Sequence, residues 1–140
     1  ESLKYAVDFG VIGLLTLLGC WALIVAFERG RFYARVDSAQ FATPQAYEIA
    51  LTKRLVVIGT IAANAPYIGL LGTVLGIMLT FHTMGTSGTL AVSSIMIGLS
   101  LALKATPVGL LVAIPCVVMN NLLRRRVSEL LTLYKVQHGA

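Results

Sequence analysis

The sequence predicts an all-α membrane protein with three transmembrane helices, and three observations predict it. Of the 140 residues, 57% are hydrophobic and only 12% are charged, with a mean hydropathy of +0.85. From Leu55 to Leu103 the chain runs 49 residues without an Asp, Glu, Lys or Arg. A membrane span needs about 20 apolar residues, so this interval holds two crossings and the turn between them. A second uncharged run, Phe9 to Phe27, is 19 residues long and supplies the third crossing. Residues 1–140 read as one membrane domain, with no room for a separate catalytic domain.

The first span covers about 7–27, with Asp8 at its outer boundary. A secretory signal has an apolar core of only ~7–15 residues and a small-residue cleavage site. This run is longer and ends in Phe27-Glu28-Arg29, so a retained helix is expected. The chain opens on Glu1 rather than Met, so a few residues are expected to have preceded it. A polar segment, 28–54, follows. It carries Arg29, Arg31, Arg35, Lys53 and Arg54 against Glu28, Asp37 and Glu48. Thr43-Pro44 reads as an N-cap followed by Pro at the first helical position. The helix starting there is expected to run unbroken into the second span, at about 62–84. Gly85-Thr86-Ser87-Gly88-Thr89 is a strong breaker cluster and the predicted hairpin turn. The third span, at about 90–123, is expected to continue through Arg124-Arg125-Arg126 into a basic tail, 124–140.

Orientation follows from the placement of Lys and Arg. The 28–54 segment has five and the tail after Leu123 has four, whereas the 83–93 turn has none and the N-terminus has only Lys4. The N-terminus and the 83–93 turn therefore face out, and the 28–54 segment and C-terminus face the cytoplasm. Arg54 to Gly85 is 31 positions, about 46 Å of helix at ~1.5 Å per residue. That exceeds the ~30 Å hydrocarbon core, so the hairpin of second and third helices projects into the cytoplasm. Asn64, Asn120 and Asn121 mark its inner membrane boundary. The net charge of +5 flanks apolar segments. That pattern fits topology signalling and contact with anionic lipids, not nucleic acid.

The chemistry sits on two faces of small and weakly polar residues. In the second span these are Ala62, Pro66, Gly69, Thr73, Gly76 and Thr80, with Gly72 overlapping. In the third, Ser94, Gly98, Ala102, Ala105, Gly109, Ala113, Cys116 and Asn120 repeat the spacing. In lipid, small residues let helix backbones approach closely, and packing is the plain role of both faces. The threonines add a sharper one. Thr73 is 19 residues from Arg54, and Thr106 is 18 from Arg124. In antiparallel helices the two hydroxyls share one depth, roughly 27 to 28 Å from the charged ends. Pro107 cannot donate a backbone hydrogen bond, so a kink is expected beside Thr106. Several copies around an axis would form a polar ring at that level. The spans are expected to carry no internal carboxylate, and membrane proton relays use acids, so an ion path would borrow its titrating group from a partner. Lys104 is the one charge within the hairpin's apolar arms. Its long stem suits snorkelling or a subunit interface, and it lies about 200° around the helix from Thr106. Cys20, Cys116, His82 and His138 are too scattered for a metal site. No nucleophile–base pair or phosphate loop has usable spacing. No enzyme activity, catalytic residue, metal or cofactor is expected.

Two blocks then carry a family resemblance. One is Ala65-Pro66-Tyr67-Ile68-Gly69-Leu70-Leu71-Gly72-Thr73-Val74-Leu75-Gly76-Ile77-Met78. The other is Ala102-Leu103-Lys104-Ala105-Thr106-Pro107-Val108-Gly109-Leu110-Leu111-Val112-Ala113-Ile114-Pro115. They resemble the ExbB/TolQ family patterns A-P-x-x-G-L-x-G-T-V-x-G-I/M and A-L-x-A-T-x-x-G-L-x-x-A-I-P. MotA is a distant relative of that family. The resemblance implies a homopentamer in the bacterial inner membrane, closest to a short ExbB. Its second and third helices would enclose helices of an ExbD-like partner that supplies a membrane Asp. Proton flow would then drive outer-membrane nutrient import through a TonB-like protein. It also implies that Thr73 and Thr106 line the ion path. Pro66, Gly69, Gly72, Gly76, Thr80, Gly109 and Pro115 would form the wall, with Lys104 and Arg124, Arg125 and Arg126 at partner, interface or lipid contacts. Two departures stand out. Many members carry a Glu where this chain has Leu101, and longer members have a larger cytoplasmic segment. A TolQ-type subunit of the Tol-Pal system is the alternative. A self-sufficient ion channel and a structural membrane scaffold are further readings.

Overall fold

A computed structural model of the protein describes residues 2–88 and 91–139. The described residues form five α-helices: α1 (Ser2–Arg35), α2 (Pro44–Thr52), α3 (Leu55–Ser87), α4 (Val92–Leu103) and α5 (Ala105–His138). A 3-10 turn at Ser38–Gln40 lies between α1 and α2. Three stretches, Tyr5–Arg35, Leu55–Thr86 and Val92–His138, are long and apolar enough to cross a membrane. α3 packs along α5 as a hairpin, and α1 lies against both. The fold is therefore all-helical and fits a multi-pass membrane protein, as the composition predicts.

Each long helix turns one narrow row inward and leaves the rest apolar. On α1 the inward row is Asp8, Leu15, Ala22, Val25, Arg29 and Tyr33, while Leu17, Trp21, Ile24 and Phe27 face outward. Outward apolar side chains are stable against lipid, which has no water to order. The close-packing row of α4 and α5 is Gly98, Ala102, Ala105, Gly109, Ala113 and Cys116, all buried. These six belong to the row whose spacing predicted packing; of its two end members, Ser94 is exposed and Asn120 half-buried.

The breaks between helices differ in part from the expectation. Thr43 caps α2 as predicted, its hydroxyl accepting from the Ala46 N–H at 3.1 Å. The helix does not run unbroken into the second span, however. α2 stops at Thr52, α3 starts at Leu55, and Arg54 between them takes a left-handed φ of 67°. That conformation costs a non-glycine residue roughly 1–2 kcal/mol. Tertiary contacts offset it. Glu28 accepts from Arg54, and Arg29 Nη1 donates to the Ala50 carbonyl at 2.8 Å. At the far end α3 closes on Gly88, with a φ of 69° and its N–H on the Met84 carbonyl. The predicted turn thus begins where glycine permits it; Thr89 and Leu90 lie outside the described residues. The predicted kink is present as a break at Lys104, between α4 and α5. Pro107 sits in the first turn of α5 and has no N–H for the Leu103 carbonyl, so the helix restarts there.

At the basic end, the segment after α1 folds over the helix ends. Tyr33 donates to the Leu51 carbonyl at 2.5 Å, and Tyr134 to the Phe41 carbonyl at 2.8 Å. The Tyr47 ring packs, tilted, between Phe41 and Tyr134, with centroids 5.0 and 5.2 Å away. Burial there pushes the Tyr47 phenol up. Replacing Tyr134 with Phe removes one buried hydrogen bond while keeping the ring. We expect a loss of about 1 kcal/mol, read as a lower Tm in detergent; an unchanged Tm would show that the bond contributes nothing.

Candidate functional site: a hydroxyl pair at a glycine crossing

The site begins where two glycines let α3 and α5 touch. A Cβ on Gly69 would lie 2.7 Å from the Ala105 carbonyl oxygen, and one on Gly109 would lie 2.6 Å from that of Ala65. Neither distance is tolerable for a real side chain. Glycine at both positions is thus a requirement of the crossing.

One turn along from Gly69, Thr73 meets Thr106. Their hydroxyl oxygens are 2.5 Å apart, and the Gly69 carbonyl lies 3.3 Å from Thr73 Oγ1 and 3.5 Å from Thr106 Oγ1. The equal depths read from the sequence therefore become direct contact. Thr73 is 7% exposed and Thr106 is half-buried. A hydroxyl donates one proton and accepts through its lone pairs. The pair can hand a proton on or ligate a small cation, but it cannot hold charge at neutral pH. Thr80 is buried on the same row of α3 and donates to the Gly76 carbonyl at 2.9 Å.

The other predicted residues divide by position. Gly72 packs against Val11 and Ala105, and Gly76 packs against Ala102 and Asp8. Pro66 is half-buried and Pro115 is exposed, and Ala65 rather than Pro66 occupies the inward row. Lys104 is exposed at the break between α4 and α5. Arg124 donates to Asn120 at 3.2 Å, while Arg125 and Arg126 both pair with Glu129. Cys20 is exposed and Cys116 buried. Among the described residues no group of three His, Cys, Asp or Glu could hold a metal ion.

One expectation is overturned. The spans are not without a carboxylate inside the bundle: Asp8 is 8% exposed, and a Cβ on Gly76 would lie 3.4 Å from its Oδ1. The cause is helical register. Counting back from Val25 through Ala22, Leu18, Leu15 and Val11 in steps of three and four reaches Asp8. Counting forward reaches Arg29, which is also buried. This repeat was present in the sequence and would have found both residues. Reading Asp8 only by its distance along the span concealed it.

Comparison with known proteins agrees with this architecture. Residues 21–136 match the MotA/TolQ/ExbB proton channel family. The chain is 45% identical over 139 residues to the biopolymer transport protein ExbB of Aquifex aeolicus, covering 99% of this chain and 94% of that protein. It is 46% identical over 136 residues to the putative biopolymer transport protein ExbB-like 2 of Helicobacter pylori, covering 97% and 91%. A more distant match is the Tol-Pal system protein TolQ of Haemophilus influenzae, 38% identical over 81 residues, covering 58% of this chain and 36% of that protein.

Proposed function

We propose, from the premise that this chain belongs to the MotA/TolQ/ExbB proton channel family, that it is the ExbB-type energiser subunit of a bacterial inner-membrane complex. Five copies form a channel whose α3 and α5 segments surround the helices of an ExbD-like partner. That partner supplies a membrane Asp. Proton-motive force is passed to a TonB-like protein and drives nutrient import across the outer membrane. The N-terminus and the 83–93 turn face out, and the 28–54 segment and tail lie in the cytoplasm, where their Lys and Arg meet anionic lipid.

The observation that carries this reading is the Thr73–Thr106 hydroxyl contact at 2.5 Å. A polar pair deep in an apolar helix pair is expected to serve an ion path rather than stability, since Val would pack in the same volume. Gly69, Gly72, Gly76 and Gly109 meet other helices of the same chain, so they set the packing that holds the threonine pair, as does the buried Thr80. The half-buried Pro66 and the exposed Pro115 are the wall residues that can face an enclosed helix. Lys104 and the Arg124–Arg126 run suit interface or lipid contacts.

Thr73→Val and Thr106→Val test it. Each removes a hydroxyl at constant shape. Energy-dependent uptake should fall by roughly tenfold, the equivalent of about 1.4 kcal/mol for one buried hydrogen bond, with assembly unchanged. Normal uptake by both assembled variants would falsify the role. The likeness to TolQ supports a second reading, a Tol-Pal subunit. In that case, deletion would impair outer-membrane constriction at division and leave uptake intact.

A further inference from the structure

We propose that Asp8 is a proton-binding site of this chain, set between Thr80 and Thr73 along the hydroxyl row and about one turn from each. The inference rests on the channel reading above and adds an acid contributed by α1. Asp8 occupies the inward row of α1 and is almost wholly enclosed. Its carboxylate reaches Gly76 of α3, where an added Cβ would also meet Ala102 of α4. Gly76 lies on the same row as Thr73 and Thr80, both buried. Thr73 is three residues inward and Thr80 four residues outward, about 4.5 Å and 6 Å along the axis. Proton-exchangeable groups thus succeed one another from Thr80 to Asp8, Thr73 and Thr106 at steps of roughly one helical turn or less.

Burial of an ionisable group at membrane depth is costly and marks function. The carboxylate accepts one proton from water on the outer side and becomes a neutral acid, then releases that proton inward. Each hydroxyl passes on one proton for each it receives and ends as it began. No other reactant is needed. On the elements around Asp8, the described titratable side chains Tyr5, His82 and Lys104 are all exposed.

The test uses the complex purified with its ExbD-type partner and reconstituted in liposomes. Proton entry is followed with an internal pH dye under an imposed potential. Asp8→Asn keeps shape and hydrogen-bonding capacity but cannot carry a proton. We expect at least a tenfold loss of proton flux, with partial recovery in Asp8→Glu. Flux within twofold of wild type in an assembled Asp8→Asn complex overturns the proposal. If Thr73→Val loses flux in the same assay while Asp8→Asn does not, the channel reading stands and this inference falls. If neither loses flux, both fall.

Should Asp8→Asn fail to assemble, infrared spectroscopy on the otherwise intact complex decides. The chain has only two aspartates, Asp8 and Asp37. Carbon-13 labelling of its aspartate carboxyls in an Asp37→Asn background therefore isolates Asp8. A neutral-carboxyl band that appears and disappears with the imposed proton gradient supports the proposal. A spectrum unmoved by the gradient overturns it.

Discussion

Gly109→Val is expected to abolish the α3–α5 contact and, with it, activity. Even the first carbon added at this position would sit 2.6 Å from the Ala65 carbonyl and 3.1 Å from Gly69 Cα. Both are backbone atoms, so no rotamer change relieves the clash. The helices must move apart, and overpacking of this kind costs about 1–3 kcal/mol or more. The separation also removes the geometry that puts Thr73 against Thr106. Gly109→Ala should show the same direction at smaller size, and Gly69→Ala should match it because its clash is with the Ala105 carbonyl at 2.7 Å. Gly10→Ala is the internal control. Nothing lies within 4 Å of its added carbon, and in a helix interior Ala is favoured over Gly by roughly 0.5–1 kcal/mol. Thermal melting in detergent and energy-dependent uptake should therefore separate these variants. Equal melting of Gly10→Ala and Gly109→Ala would refute the close crossing.

The second large effect is expected at Arg29. Its side chain is 5% exposed, its Nη1 donates to the Ala50 carbonyl at 2.8 Å, and Nε and Nη2 donate to Glu28. The guanidinium carbon also lies 4.5 Å above the Phe32 ring. Through Glu28, which also accepts from Arg54, one side chain ties α1 to the break between α2 and α3. Arg29→Met keeps much of the apolar volume but leaves the Ala50 carbonyl unpaired and loses the charged bonds. We expect about 2–3 kcal/mol of destabilisation. Faster proteolysis within residues 36–54 should accompany it. Arg29→Lys should not rescue, because an ammonium lacks the planar fork that serves two acceptors at once. Arg54→Ala should cost no more than ~1 kcal/mol, since that partner is half exposed and such pairs contribute little. If Arg54→Ala proved the more damaging, the central position given to Arg29 would be wrong.

How much of this could be read from the chain depends on the kind of force involved. The membrane spans follow from transfer energy, which depends on the composition of about 20 consecutive residues and on nothing distant. The Thr43 cap, the Gly88 stop and the break near Pro107 are equally local, because each concerns backbone groups within one turn. The shared depth of Thr73 and Thr106 follows from a fixed rise per residue, and the structure converts it into contact because two glycines lie nearby. The α2–α3 break was not legible. Residues 45–58 contain neither Gly nor Pro, and the left-handed Arg54 is held by Glu28, 26 residues away.

The sequence by itself therefore determined the solvent this protein lives in, its three spans, the small-residue rows and the family. Only the tertiary structure decided what those rows meet. It fixed the 2.5 Å hydroxyl contact, brought Gly69 against Gly109, and bent the chain at Arg54. The physical reason is that each of these depends on contacts between residues 26 or more positions apart in the chain, whereas spans and caps depend on groups within one segment.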